Sequence, residues 1–142
     1  MSKTVRRLIS FVLVFMLIAS ISAPVFAATK PTATIKSYTS RIKRGRTATY
    51  TFTIRSGSYT KYRSIWRSEF DVYVRRSSNN KLYGYKEVYF TGNINYRLTY
   101  AYSRSIPTGK YKVNYQTWYR PYLNRNTWYR NTNRTVYTTV IA

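Results

Sequence analysis

Apolar and polar residues alternate along most of this chain after residue 32. In RTATYTFTIR, residues 46–55, every second residue from Ala48 to Ile54 is apolar or aromatic, and threonines fill the positions between them. Successive side chains of a strand point to opposite faces, so this two-residue period is typical of a half-buried β-strand. The period recurs along the chain and predicts strands at residues 33–38, 46–55, 66–75, 82–91, 94–102, 110–120 and 134–141.

Glycine, asparagine, serine and proline residues separate these runs. Turn signals occur at Arg44-Gly45, at Gly92-Asn93 and at Pro107-Thr108-Gly109, and similar clusters lie at residues 56–58 and 77–80. No segment after the N-terminal 27 residues shows a convincing helical period. About seven short strands with turns between them predict an all-β protein, an antiparallel β-sandwich formed by one domain, residues 28–142.

The segment SIPTGKYKVNY, residues 105–115, contains the pattern Pro-x-Gly-x-Tyr-x-Val at residues 107–113. It resembles the step that opens a late strand in bacterial immunoglobulin-like and fibronectin III-like modules. The resemblance covers about a dozen residues and the strand number. It implies an immunoglobulin-like sandwich in which Tyr111 forms a corner contact with the preceding loop. The chain has no cysteine and so lacks the disulfide of antibody-type domains.

The N-terminus has the features of a secretory signal peptide. A basic segment, MSKTVRR, precedes an apolar run from Leu8 to Ile21, and Val25-Phe26-Ala27 follows as a cleavage site. The apolar run is short for a membrane span, and an uncleaved N-terminal anchor is the alternative. We expect cleavage after Ala27 and a secreted, extracellular protein. The simple signal and the cysteine-free domain favour a bacterial source.

Charge is the most unusual property of the composition. The 142 residues include 25 basic and three acidic residues. The predicted signal holds three of the basic residues, so 22 remain in the domain against Glu69, Asp71 and Glu87, a net charge of +19. Solubility alone does not need so unequal a balance, which indicates an anionic partner. Since leucine and phenylalanine are few, tyrosines must also contribute to the core.

The usual catalytic groups are missing. Without histidine or cysteine the chain lacks an imidazole base, a thiolate nucleophile and zinc ligands of these types. Glu69 and Asp71 share a face of one predicted strand, about 6–7 Å apart, a separation that glycosidases use. We expect neighbouring arginines to keep both carboxylates ionised with lowered pKa values, which does not suit a general acid. The prediction is a non-enzymatic protein without cofactor, metal or small-molecule substrate.

The sequence TWYR occurs twice, at residues 117–120 and 127–130. A hairpin centred on Asn124 would place Trp118 opposite Arg130, Arg120 opposite Trp128 and Tyr119 opposite Tyr129. Two Arg–Trp stacks and a tyrosine pair would then stabilise the hairpin. Arginines ordered on rings can also present their N–H groups to phosphate or carboxylate. The predicted polyanion-binding residues are Trp118, Arg120, Tyr122, Arg125, Trp128, Arg130 and Arg134.

A second basic cluster lies in SRIKRGR, residues 40–46. It comprises Arg41, Lys43, Arg44 and Arg46. Charge runs of this kind are usually solvated turns, which is the alternative to a second binding patch.

These features favour a binding module for an anionic cell-surface or extracellular polymer, such as cell-wall teichoic acid or acidic polysaccharide. The positive charge of the protein would hold it at the anionic cell wall. A purely structural role, in which an edge strand pairs with a partner, is also possible. Two alternatives involve other anionic ligands. One is a cationic antimicrobial or toxin-like protein acting on anionic membranes, although the chain has no amphipathic helix of the interfacial type. The other is an extracellular nucleic-acid or biofilm-matrix binder, with bases stacking on Trp118 or Trp128.

Overall fold

The computed structural model describes residues 29–57 and 65–142, so the predicted signal peptide, residues 1–27, lies outside the described residues. The described chain is almost entirely β-structure, and each of the seven predicted strands is confirmed. The strands are β1 (Thr32–Tyr38), β2 (Arg41–Lys43), β3 (Thr47–Arg55), β4 (Ile65–Arg76), β5 (Leu82–Phe90), β6 (Ile94–Ala101), β7 (Gly109–Pro121) and β8 (Tyr129–Ile141), with a 3-10 turn at Tyr122–Asn124 between β7 and β8.

Two sheets form a sandwich of the immunoglobulin-like class. One sheet has the order β1-β3-β6, and the other has the order β2-β8-β7-β4-β5. In the larger sheet the pairs β8–β7, β7–β4 and β4–β5 are antiparallel. The predicted fold class is therefore confirmed, with β4, β7 and β8 forming the broad centre of the larger sheet.

Strand β2 was not predicted. Its three residues pair in parallel with the end of β8, Arg41 opposite Thr139 and Lys43 opposite Ile141. Ile42 between them is buried and contributes to the core. The short strand therefore covers the edge of β8, and a purely antiparallel sandwich is not what the chain forms.

Aromatic and β-branched residues from the two inner faces fill the core. Phe52 of the smaller sheet lies with its ring centroid 5.0 Å from that of Phe70 and 5.2 Å from that of Tyr115, both in the larger sheet. Inward positions along β3, β4 and β7 alternate with outward ones, as the two-residue period predicts. The expectation that tyrosines contribute to the core is confirmed, since Tyr50, Tyr102, Tyr111 and Tyr115 are buried.

The buried tyrosine hydroxyls have partners. The Tyr50 hydroxyl lies 3.0 Å from that of Tyr102 and 2.6 Å from Oγ1 of Thr138. Thr138 Oγ1 donates to the carbonyl of Thr39 at 2.7 Å. A buried hydroxyl without a hydrogen bond would be costly, so this chain of contacts is what allows polar rings in a core.

Tyr111 forms the corner contact that the resemblance implies. Its hydroxyl donates to the carbonyl oxygen of Pro107 at 2.7 Å, across the loop that precedes β7. The ring is buried, with its centroid 5.5 Å from that of Tyr102. The contact ties the start of β7 to the loop before it.

Strand β8 contains one extra residue opposite Thr117. Gln116 lies opposite Asn133, but Trp118 lies opposite Arg130, so two residues of β8 face one of β7. The amide of Thr132 donates to Thr117 Oγ1 at 2.9 Å, and that hydroxyl donates to the carbonyl of Pro31 at 2.9 Å. This bulge therefore anchors the start of the smaller sheet to the larger one.

Candidate functional site

The outer end of the β7–β8 hairpin has the predicted pairing. Trp118 lies opposite Arg130, and Tyr119 lies opposite Tyr129. The Arg130 guanidinium carbon is 5.5 Å from the Trp118 ring centroid, and the Arg120 guanidinium carbon is 4.2 Å from that of Trp128. The two Arg–Trp contacts are confirmed.

Tyr119 and Tyr129 stack on the other side of the hairpin. Their ring centroids are 5.7 Å apart with an interplanar angle of 27°. Tyr119 is buried and Tyr129 is exposed. This pair therefore stabilises the hairpin from the inner face of the larger sheet, and the Arg–Trp pairs lie on its outer face.

A row of amide groups orders Trp118. Its indole Nε1 donates to Gln116 Oε1 at 3.0 Å, and Gln116 Nε2 donates to Asn114 Oδ1 at 2.6 Å. Asn114 Nδ2 in turn donates to Asn133 Oδ1 at 2.8 Å on β8. These three outward residues of β7 hold one another in place, so the ring beneath Arg130 has a defined orientation.

The bulge places Arg134 on a different face from Arg130. Continuing the outer register would set Arg134 opposite Asn114, but the structure pairs it with Tyr115, which points inward. The extra residue reverses the alternation of β8 at this position, so Arg134 does not share a face with Arg130. Arg134 is exposed, but the structure does not bring it together with Arg120 and Arg130.

The tip of the hairpin contains two further predicted residues. Tyr122 begins the 3-10 turn, and the Arg125 guanidinium carbon lies 5.1 Å from its ring centroid. Both side chains are exposed, and Leu123 between them is fully exposed. The tip projects as expected and extends the row of arginine–aromatic contacts beyond the sheet.

Arg67 also belongs to this surface, although it is not among the residues predicted from the sequence. It lies directly opposite Arg120 on β4, and its guanidinium carbon is 4.6 Å from the ring centroid of Tyr89 on β5. The two-residue period of β4 could have indicated its outward direction, but its neighbours depend on strand pairing. We call Arg67, Arg120 and Arg130, with the rings that they cover, the arginine end.

The second predicted basic patch is remote from the arginine end. Arg41 and Lys43 belong to β2, beside the last residues of β8, whereas the hairpin tip precedes the first residues of β8. Arg44 and Arg46 flank Gly45, whose φ of 78° turns the chain from β2 to β3. All four basic side chains are exposed. They form a separate surface at the opposite end of the sandwich.

The three carboxyl groups of the domain lie together at the centre of the outer face. Glu69 and Asp71 are successive outward residues of β4, and Glu87 on β5 is directly opposite Asp71. The hydroxyls of Tyr73 and Tyr85 each donate to Asp71 at 3.3 Å. Asp71 is 4% exposed. The sequence did not predict this cluster, since the position of Glu87 depends on the β4–β5 register.

The expectation of lowered carboxyl pKa values is wrong. Burial, a hydrogen bond with Asp71 and the charges of Asp71 and Glu87 raise the pKa of Glu69 to about 8. Burial also raises the pKa of Asp71, against hydrogen bonds that lower it. The nearby arginines lie over rings instead, Arg67 over Tyr89 and Arg75 over Tyr73 at 4.8 Å. At neutral pH the Glu69–Asp71 pair therefore holds a proton.

This geometry also differs from that of a glycosidase pair. The carboxyl groups of Glu69 and Asp71 hydrogen bond to each other, so the predicted separation of about 6–7 Å is not present. A retaining or inverting glycosidase needs its carboxyl groups about 5 Å or more apart, with the scissile bond between them.

Two further properties concern only the described residues. Within residues 29–57 and 65–142, no group of three or more His, Cys, Asp or Glu side chains is arranged to hold a metal ion. In the same part of the chain, no helix is long and apolar enough to span a membrane.

Comparisons with known proteins identify structures with a similar fold but no related sequence. No protein-family model matches the sequence, and no curated protein matches it. The structure is similar to the CARDB domain of the PF1109 protein from Pyrococcus furiosus, solved in complex with di-metal ions. The TM-score is 0.54 and the identity 16%, covering 84% of this chain and 95% of that domain. At this identity the likeness shows the fold, an immunoglobulin-like β-sandwich.

Other solved structures are more distant. A Niemann-Pick type C2 protein from the Japanese carpenter ant has a TM-score of 0.47 and 10% identity, over 80% of this chain and 91% of that one. A β-glucosidase from Listeria innocua, in complex with glucose, has a TM-score of 0.47 and 8% identity. The match covers 80% of this chain and only 16% of that enzyme.

Proposed function

We propose that this protein is a secreted, strongly cationic, non-enzymatic binding module for anionic polymers, with cell-wall teichoic acid or an acidic polysaccharide as ligand. The observation that supports it best is the arginine end. There, Arg67, Arg120 and Arg130 each lie over an aromatic ring on one outer face. Guanidinium groups ordered in this way can offer paired N–H donors to phosphate or carboxylate at a reduced entropic cost.

Total charge supports the same proposal. Without the predicted signal peptide the chain has 22 basic and three acidic residues, and this net charge of +19 attracts polyanions over distances limited by salt screening, about 8 Å at physiological ionic strength. Binding is therefore salt-sensitive. The module is of the bacterial immunoglobulin-like or fibronectin III-like kind, and charge holds the exported protein at the cell wall.

Absence of enzymatic activity is part of the proposal. The sequence contains no histidine or cysteine, and the Glu69–Asp71 pair has its carboxyl groups in direct contact. A hydrolysis assay on wall polymers with the wild-type protein and a Glu69→Gln variant tests this. Hydrolysis that the variant loses, with its fold intact, would contradict the proposal.

The main experiment measures binding of protein secreted by an expression host to Gram-positive cell walls. Walls with and without their teichoic acid are compared across a salt series. We expect binding that disappears with the teichoic acid and weakens steeply as salt rises. Binding that ignores teichoic acid but requires an acidic polysaccharide would identify the other ligand class, and no wall binding would contradict the proposal.

A matched pair of variants separates the arginine end from general charge. Arg120→Gln/Arg130→Gln removes two charges from the arginine end. Lys36→Gln/Arg97→Gln removes two exposed charges from the smaller sheet. We expect the first double variant to lose most wall binding and the second to retain most of it. Equal losses would show that binding depends on total charge alone.

The two alternative functions have their own readouts. Dye leakage from anionic vesicles at low protein concentration would favour a membrane-active protein, whereas intact vesicles oppose it. Binding of single-stranded DNA with a steep dependence on salt, combined with weak wall binding, would favour nucleic acid as the partner.

A further inference from the structure

A second cation pair lies on the same outer face as the arginine end. Arg75 of β4 is directly opposite Lys112 of β7, just as Arg67 is opposite Arg120. Like charges in directly opposite positions destabilise a sheet. The two pairs are eight residues apart along each strand, about 26 Å at the rise of a β-strand. The Glu69–Asp71 pair lies between them.

A concave site accompanies the second pair. A cavity of about 200 Å³ is lined by two cationic and three neutral polar side chains, with no carboxylate among them: Arg75, Asn80, Lys112, Asn114 and Thr135. These residues come from β4, the β4–β5 turn, β7 and β8. We call this cavity the Arg75–Lys112 pocket. Its charge and polar lining suit a small anion.

Contacts within the protein order the two cations. The Arg75 guanidinium carbon lies 4.8 Å from the ring centroid of Tyr73. The Lys112 ammonium group donates to Asn80 Oδ1 at 2.8 Å, which occupies one of its three protons. Asn80 has a φ of 58°, and its amide donates to the carbonyl of Arg76 at 2.9 Å. The turn therefore positions Lys112 while leaving two of its N–H groups for a ligand.

Thr135 contributes a third donor. Asn114 Nδ2 donates to Thr135 Oγ1 at 3.2 Å, so the threonine oxygen accepts within the protein and its own proton can be donated. Arg75, Lys112 and Thr135 thus offer donors from three adjacent strands. Donors converging from several directions suit the tetrahedral oxygens of a phosphate better than a planar carboxylate, which one arginine can satisfy.

We propose that the Arg75–Lys112 pocket binds a phosphate group and, with the arginine end, anchors one phosphate polymer at two points. The two-point anchoring rests on the proposed function, and it restricts the polymer ligand to a polyphosphodiester of the teichoic acid class. The carboxyl cluster between the two points repels an anionic backbone, so contact is made at both ends of the face. A polymer chain that is bound at one site has a high effective concentration at the other site, and this raises its overall affinity.

Titration with inorganic phosphate tests the pocket by itself. The measurement is the shift of backbone and side-chain amide resonances in ¹H–¹⁵N spectra of the wild-type protein. We expect saturable shifts at Asn80, Asn114 and Thr135, which Arg75→Gln/Lys112→Gln abolishes and the control Lys36→Gln/Arg97→Gln preserves. Sodium acetate should produce much smaller shifts. Equal shifts with acetate, or shifts that survive the pocket variant, would overturn the phosphate assignment.

Linear inorganic polyphosphates of defined length test the two-point arrangement. We expect affinity to rise at least tenfold once chains exceed about 26 Å, the span estimated from the strand rise. The pocket variant should lose this step, while short chains still bind to it at the arginine end. A gradual rise with length, or a step that the variant keeps, would overturn two-point binding.

These outcomes are distinguishable from failure of the proposed function. Phosphate that saturates the pocket of a protein that does not bind walls would contradict the proposed function and support the pocket. Wall binding that the pocket variant retains at full strength would support the proposed function and contradict the two-point anchor.

Discussion

Thr132 donates its backbone amide to the side-chain oxygen of Thr117 at 2.9 Å, at the one position where β8 has an extra residue opposite β7. Through Thr117, this contact connects the β7–β8 hairpin to the residue that precedes β1. The same Thr117 hydroxyl donates to the carbonyl of Pro31, and Asn131 Nδ2 donates to that carbonyl at 2.8 Å. The bulge thereby determines which β8 side chains reach the outer face.

Replacing Thr117 by valine should destabilise the protein. Valine has a similar shape but removes two buried hydrogen bonds, which leaves the Thr132 amide and the Pro31 carbonyl without this partner. We expect the free energy of unfolding in urea to fall by about 1–3 kcal/mol. Thr139→Val, at an exposed position of β8, is the control and should change it by less than about 0.5 kcal/mol. Equal effects would contradict the role of the bulge.

The Trp118–Arg130 contact should contribute measurable coupling energy. A double-mutant cycle with Trp118→Ala and Arg130→Ala, followed by urea denaturation, isolates the pairwise contribution. Since the hairpin end is partly exposed, we expect a coupling of about 0.5–1 kcal/mol. A cycle between Trp118 and Arg97, on the other sheet, should give none. Additive effects in the first cycle would show that the stacking does not stabilise the hairpin.

Stability should fall as pH rises towards the raised pKa of Glu69. The folded protein holds a proton on Glu69 up to a pKa of about 8, whereas the unfolded chain releases it near 4.5. The folded state therefore binds more protons between these values, and raising the pH through this window favours unfolding. We expect urea midpoints to decrease from pH 5 to pH 9. Glu69→Gln should flatten this profile, and an unchanged slope in the variant would contradict the assignment.

Gly84 should not tolerate a side chain. A Cβ added there would clash with Cε2 of Tyr100, whose hydroxyl donates to the carbonyl of Tyr83 at 2.8 Å. We expect Gly84→Ala to lower the free energy of unfolding by about 1–3 kcal/mol, because the ring has to move. Gly92→Ala is the matched control, since a Cβ there has no neighbour within 4 Å. A neutral Gly84→Ala would show that Tyr100 relaxes at little cost.

The sequence by itself determined the features that depend on residues close to one another along the chain. The two-residue period located seven strands, and turn residues separated them. The spacing of the TWYR repeat predicted the contacts of Trp118 with Arg130 and of Arg120 with Trp128, because a hairpin pairs residues close in the chain. The segment around Tyr111 predicted its contact with the loop before it. Composition determined the excess of positive charge.

Only the tertiary structure decided which residues from distant strands are neighbours. Alternation placed Glu69 outward, but burial in the folded sheet raises the pKa of Glu69 and of Asp71, against the expected direction. The pairing of β4 with β5 also brings Glu87 beside Asp71, and its charge adds to both shifts. The bulge in β8 moved Arg134 to the inner face, and the β4–β7 register set Arg75 opposite Lys112. Register depends on packing between the two sheets and on hydrogen bonds such as Thr117 to Pro31, whose partners are far apart in sequence.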